Sequence, residues 1–123
     1  MCSPWEVFYM EIRTLRKGSK RQIHEAARLL VDGFKDNWPD AWPDMEAALA
    51  EVEACLDDER ICRVAVNAEG HVLGWIGAIK QYNGNVWELH PLVVSLEHRG
   101  QGIGKALVQD LERQVRERGG ITI

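Results

Sequence analysis

Several features that commonly define a protein class are scarce or missing from these 123 residues. No apolar run approaches the roughly 20 residues that a membrane-spanning helix needs. The first residues carry neither a basic segment nor a long apolar segment, so we expect no signal peptide. The three cysteines show neither metal-ligand spacing nor an even disulfide framework. We therefore expect a single cytoplasmic domain over residues 1–123, with free thiols and no bound metal.

Lysine and arginine are absent from residues 36–59, although the formal net charge of the whole chain is only −4. The same window holds nine acidic residues: Asp36, Asp40, Asp44, Glu46, Glu51, Glu53, Asp57, Asp58 and Glu59. A solvated helix face and a surface that attracts a polycationic substrate both explain this pattern. The basic residues are scattered along the chain, which argues against a nucleic-acid partner.

The periodicity of the apolar residues predicts an α/β (α+β) domain in the order β-α-α-β-β-β-α-β. The predicted strands are 10–15, 61–67, 72–81 and 86–94, the predicted helices are 22–34, 45–56 and 103–118, and a further strand begins at 121. Asp44 is the expected N-cap of the second helix. The acidic side chains of that helix, including Glu51, are expected to face mostly outward.

A glycine-rich turn joins the strand that ends at Val94 to the helix that starts at Ile103. Its residues are Arg99, Gly100, Gln101, Gly102, Ile103, Gly104 and Lys105. The first N–H groups of a helix have no intrahelical acceptor and lie at the positive end of the helix dipole, so they suit a phosphate group. On this motif alone, a tight connection without a ligand remains an equal alternative.

Three residues of the preceding strand are candidates for chemistry. Glu88 and His90 are two residues apart and are therefore expected on one face of the strand. A carboxylate beside an imidazole can relay a proton, but Glu88 can equally serve as an anchor for a cationic substrate. Pro91 lacks an N–H group and favours a bulge, which would free the N–H of Leu92 to stabilise an oxyanion. Pro91 ending strand pairing at a sheet edge is the alternative.

The loop resembles the pyrophosphate loop Q/R-x-x-G-x-G/A of the GNAT superfamily of N-acetyltransferases. Further segments resemble bacterial aminoglycoside 6'-N-acetyltransferases, and the resemblance covers roughly residues 30 to 123. These segments are Ile76–Ile79, Gln81-Tyr82, Trp87–Val94 and Arg118–Ile123. The resemblance implies a mixed central sheet flanked by helices, acetyl-CoA as cosubstrate and a small cationic amine, an aminoglycoside, as acceptor.

The resemblance also implies roles for individual residues. Acetyl-CoA would contact the strand residues Leu92, Val93 and Val94 and the whole of the loop 99–105. Trp38, Tyr82 and Glu88 would contact the acceptor. Without the resemblance, Trp38 equally suits a lid over the core and Tyr82 equally suits the end of a hairpin.

The chain ends at Ile123, where the family domain normally continues with a further helix and two more strands. We therefore expect a fold that is incomplete at its C-terminus, with one sheet edge that a second copy would cover in a homodimer. Two alternatives to aminoglycoside acetylation stay open. One is an acetyltransferase for another amine, and the other is a catalytically silent module that binds coenzyme A or self-associates.

Overall fold

A computed structural model describes residues 9–34, 44–81 and 86–120. It contains four strands and three helices, together with a one-turn 3-10 helix at Leu96–His98. In chain order they are β1 (Glu11–Thr14), α1 (Lys20–Phe34), α2 (Met45–Cys55), β2 (Arg60–Val66), β3 (Val72–Gln81), β4 (Val86–Val94) and α3 (Ile103–Glu117). Predicted and observed bounds differ by at most two residues.

The strands form one sheet in the order β1-β2-β3-β4, and every described pair is antiparallel. The register between β3 and β4 shifts in the middle of the two strands. Leu92 lies opposite Ile76, and Leu89 lies opposite Ala78, so that two residues of β4 face the single residue Gly77. This is a β-bulge. It confirms the bulge that Pro91 predicted.

Helices cover both faces of the sheet and bury two apolar layers. On one face α1 and α2 pack against Val64, Trp75 and Val93. On the other face α3 packs its buried stripe, which includes Leu107 and Leu111, against Ile76 and Trp87. The amphipathic periodicity of the helices explains this arrangement, because each helix has one apolar stripe to bury.

One polar feature caps a helix, and another attaches a helix to the sheet. The Asp44 carboxylate accepts a hydrogen bond from the Ala47 N–H at 2.9 Å, which confirms it as the N-cap of α2. Arg63 of β2 forms a two-pronged ion pair with Asp110 of α3, at 2.8 Å and 3.0 Å. Because Asp110 is only 3% exposed, this pair joins α3 to the sheet within the protein.

Three predictions from the sequence lie outside the described residues: the acceptor contacts of Trp38 and Tyr82, and the strand beginning at residue 121. The sheet was expected to be mixed because the strand beginning at residue 121 would pair in parallel with β4. None of the described helices is both long and apolar enough to cross a membrane.

Candidate active site

The loop after β4 adopts the conformation that its glycines permit. Gly100 and Gly102 have φ values of 84° and 81°, in the left-handed region that residues with a Cβ rarely occupy. The first intrahelical bond of α3 runs from the Ala106 N–H to the Gly102 carbonyl at 3.0 Å. The N–H groups of residues 103–105 therefore precede the hydrogen-bond ladder and lie at the positive end of the helix.

A cleft of about 520 Å³ opens beside this loop. Its lining combines the end of α1, the end of β4 and the loop itself: Gly33, Phe34, Leu92, Val93, Val94, His98, Arg99, Gly100, Gly102, Ile103 and Gly104. A Cβ at Gly100 or Gly102 would meet no heavy atom within 4 Å among the described residues. The loop backbone is therefore open to a ligand, and Arg99 supplies a positive charge at its start.

The bulge in β4 lies beside this cleft. Leu92, directly after the bulge, lines the cleft, whereas Pro91 is buried. Gly77 of β3 lets the bulged backbone approach, since a Cβ there would lie 2.5 Å from the His90 carbonyl oxygen and 2.8 Å from Cys55 Sγ. The bulge is therefore held between β3 and the C-terminal end of α2.

The two titratable residues of β4 have different partners. Glu88 is exposed, and its Oε2 accepts a hydrogen bond from Gln81 Nε2 at 3.2 Å. His90 lies with Nε2 3.2 Å from Oε1 of Glu51 on α2. Helix α2 therefore places the Glu51 carboxylate next to the end of β4 that carries His90.

Glu51 is the residue that sequence reasoning placed wrongly. It was expected to face mostly outward, but its side chain is only 21% exposed and pairs with His90. Helical spacing did carry a signal, because Glu51 immediately precedes the fully buried Val52 and lies one turn before the buried Cys55. Which histidine faces Glu51 depends on how α2 packs on the sheet, and this cannot be read from the helix alone.

Two buried thiols lie behind the bulge. Cys55 Sγ lies 3.4 Å from the Ile61 carbonyl oxygen, and Trp75 Nε1 donates to Cys62 Sγ at 3.1 Å. A hydrogen bond from the Cys55 thiol lowers the pKa of Cys62 against the opposing effect of burial, and the Trp75 N–H lowers it further. The pKa of Cys55 is raised, first by that same hydrogen bond and then by burial.

The structure brings most of the predicted cofactor residues to one cleft. Leu92, Val93 and Val94 line it, as do five of the seven loop residues. Gln101 and Lys105 are exposed on the same loop and do not line the cleft. Gly33, Phe34 and His98 line it without having been predicted, because the packing of α1 against β4 brings the first two there.

Comparisons with known proteins agree with this geometry. The family model described as "Acetyltransferase (GNAT) family" matches residues 23–123. No curated protein matched the chain.

Three solved structures of similar proteins are each 34% identical to the chain and cover 89% of it. An aminoglycoside 6'-N-acetyltransferase complexed with coenzyme A has a TM-score of 0.77. An aminoglycoside 6'-acetyltransferase type Ii and the aminoglycoside 6'-N-acetyltransferase from Enterococcus faecium each have a TM-score of 0.75.

The chain spans 57% of the length of the first and third of these proteins and 66% of the second. The fold expected from the sequence is confirmed by the family match, by these TM-scores and by the four-stranded antiparallel sheet flanked by helices. The chain belongs to the GNAT family of acetyltransferases.

Proposed function

We propose that this protein is an acetyl-CoA-dependent N-acetyltransferase that acetylates a primary amine of an aminoglycoside, at the 6' position. The observation that carries the proposal is the continuity of the cleft. It runs from the glycine loop at the start of α3 to Leu92 beside the bulge of β4. The loop end suits a diphosphate, and Leu92 at the other end follows Glu88 and His90 on β4, which do not themselves line the cleft.

The residues present fit coenzyme A at the loop end. The N–H groups at the start of α3 and the exposed Arg99 are complementary to phosphate. The left-handed glycines at 100 and 102 leave the loop backbone uncovered by side chains. A cleft of about 520 Å³ falls within the size range of small-molecule and cofactor sites.

Acetyl-CoA, when bound, supplies an acetyl thioester, and transfer to an amine forms a C–N bond, breaks the C–S bond and releases coenzyme A. The chain must then provide three things. The Leu92 N–H would donate a hydrogen bond to the developing oxyanion. Glu88 and His90 would hold the ammonium group and accept its proton, directly or through water. The cleft would hold both reactants in line.

The acceptor class is supported by charge and by similarity. Glu88 and Glu51 place two carboxylates near the bulge, which favours a cationic amine over a neutral one. The solved structures that are 34% identical to this chain are aminoglycoside 6'-acetyltransferases. Contacts of Trp38 and Tyr82 with the acceptor, a homodimer and a cytoplasmic location stay predictions.

Calorimetric titration with acetyl-CoA, followed by a thiol-release assay, tests the proposal. The acceptors are an aminoglycoside with a 6'-amine, a congener with a 6'-hydroxyl, and a linear polyamine. We expect acetyl-CoA binding and acetylation of the 6'-amine compound alone. Acetylation of the polyamine but not of the aminoglycoside would support an acetyltransferase for another amine. Binding without turnover of any amine would contradict the proposed activity.

A further inference from the structure

We propose that Glu51 of α2 is a positioning residue that sets the orientation and tautomer of His90. The inference rests on the proposed function, because it gives His90 a place on the acceptor side of the site. The evidence for the contact itself is structural. Glu51 Oε1 and His90 Nε2 are 3.2 Å apart, and the Glu51 side chain is only 21% exposed, against 42% for His90.

The backbone that carries Glu51 is held firmly against the sheet. Ala48 and Val52, on either side of Glu51 in α2, are both 0% exposed. One turn after Glu51, the thiol of Cys55 lies 3.4 Å from the carbonyl oxygen of Ile61 on β2. Since exposed ion pairs lose much of their energy to side-chain entropy, this fixed support makes the Glu51 contact more directional than a pair between two surface side chains.

The backbone of His90 is held by the bulge, of which it is a part. Gly77 leaves room for the His90 carbonyl and for Cys55 Sγ, which would lie 2.5 Å and 2.8 Å from a Cβ at that position. Both partners of the Glu51–His90 contact are therefore attached to the same junction of α2, β3 and β4. The backbones that carry the two side chains are therefore fixed relative to each other, and Glu51 is the described carboxylate that contacts the imidazole.

The contact has a defined chemical consequence. An ionised carboxylate only accepts hydrogen bonds, so a neutral His90 must carry its proton on Nε2. Nδ1 then carries the lone pair, so it can accept a hydrogen bond or a proton from a group that faces it. If His90 takes up a proton, Glu51 also balances the positive charge. Among the residues that the structure describes, Glu88 on β4 and Cys55 on α2 are further titratable groups of this junction.

Nitrogen-15 NMR of the histidine side chains, at alkaline pH where imidazole is neutral, tests the assignment. In the wild-type protein we expect the His90 shifts of the Nε2–H tautomer. In Glu51→Ala we expect a mixture of both tautomers. Glu51→Gln keeps an acceptor oxygen and should restore the Nε2–H form. The control is Glu53→Ala, on the exposed side of the same helix, which should leave the His90 shifts unchanged.

Kinetics give a second readout. We expect Glu51→Ala to lower kcat/KM for the amine by about tenfold, by comparison with the roughly 10–100-fold effect of removing the partner of a metal-ligating histidine. Calorimetric affinity for acetyl-CoA should be unchanged, and circular dichroism should show an intact fold. Glu112→Ala, on the exposed side of α3 and outside the acidic window 36–59, should retain wild-type kinetics.

The two readouts separate this inference from the proposed function. His90 shifts that are not those of the Nε2–H form, or that do not respond to Glu51→Ala, would overturn the role of Glu51 whatever the activity. If the shifts respond as expected but the wild-type protein acetylates no amine, the proposed function fails and the positioning of His90 stands.

Discussion

At the scale of single residues, Glu88 is the candidate whose role kinetics can resolve. It is exposed on β4 and accepts one hydrogen bond, from Gln81 at 3.2 Å. We expect Glu88→Gln to lower kcat/KM for the amine by about 10–100-fold, at the low end of general-base effects because water can substitute. Acetyl-CoA affinity should stay close to the wild-type value, since the glycine loop lies beyond the bulge.

Whether the loss in kcat/KM comes from KM or from kcat separates the two roles left open for Glu88. A residue that only anchors the amine changes KM and spares kcat, whereas a residue that moves the proton changes kcat. Loss of the acidic limb of the pH profile in Glu88→Gln would support a base. Wild-type kinetics for every amine tested would remove Glu88 from the site.

The buried thiol pair makes a second prediction at this scale. Both cysteines have an ordinary pKa of 9.0, which folding lowers for Cys62 and raises for Cys55. Between the lowered pKa and about pH 9, only the folded state has lost a proton, so the pair's contribution to the free energy of unfolding should increase with pH. Above about pH 9 the unfolded state has lost both protons while Cys55 keeps its own, so the contribution should decrease.

Urea unfolding across this pH range measures the effect. The wild-type protein is compared with a double variant, Cys55→Ala and Cys62→Ala, because the difference between them isolates the pair from all other titrating groups. A difference in unfolding free energy that does not change with pH would contradict the opposite pKa shifts of Cys62 and Cys55.

At the scale of elements, the loop before α3 offers a charge test with a matched control. Gly102 has a φ of 81°, and both Asn and Asp tolerate this region better than other residues with a side chain. Gly102→Asp adds a negative charge near the start of the helix, whereas Gly102→Asn adds nearly the same volume without charge. We expect acetyl-CoA affinity, measured by calorimetry, to fall much further in the Asp variant. Equal affinities in the two variants would mean that no phosphate lies at the loop.

The junction of α2, β3 and β4 makes a prediction about stability. Gly77→Ala would place a Cβ 2.5 Å from the His90 carbonyl oxygen and 2.8 Å from Cys55 Sγ. We expect a loss of about 1–3 kcal/mol in the free energy of unfolding, as for other overpacked cores. Gly18→Ala is the control, because a Cβ there meets no described heavy atom within 4 Å. Urea unfolding should show Gly18→Ala to be no less stable than wild type, and a similarly stable Gly77→Ala would refute the packing of the bulge.

At the scale of the whole molecule, the acidic window 36–59 is expected to attract a cationic acceptor. Some of its carboxylates serve the fold, since Asp44 caps α2 and Glu59 pairs with Lys80 at 2.8 Å. The remaining attraction should be screened by salt, because the Debye length falls from about 10 Å at 0.1 M to about 3 Å at 1 M. We therefore expect KM for the amine to increase with salt at saturating acetyl-CoA.

The charge of the acceptor supplies the control for that measurement. A polycationic aminoglycoside should show a steeper increase of KM with salt than an amine with a single positive charge. Equal salt dependence for both acceptors, or none for either, would show that the acidic window does not steer the substrate.

Local chemistry in the sequence determined the elements and the outline of the site. Asp44 caps α2, the glycines at 100 and 102 take positive φ, and Pro91 interrupts β4, because each effect depends on a residue and its immediate neighbours. Helical spacing likewise predicted the buried stripe of α3. These features predicted the elements and their order, whereas the fold family was predicted from the resemblance to the GNAT superfamily. Phosphate binding by the loop after β4 stays a prediction.

The tertiary structure alone decided which distant side chains meet. Glu51 reaches His90 because α2 packs on the sheet beside the bulge, and Arg63 reaches Asp110 because α3 covers the opposite face of β2. A one-residue change of register would turn either strand residue to the other face of the sheet. Such pairs depend on packing and register together, and neither can be read from the local pattern of a single segment.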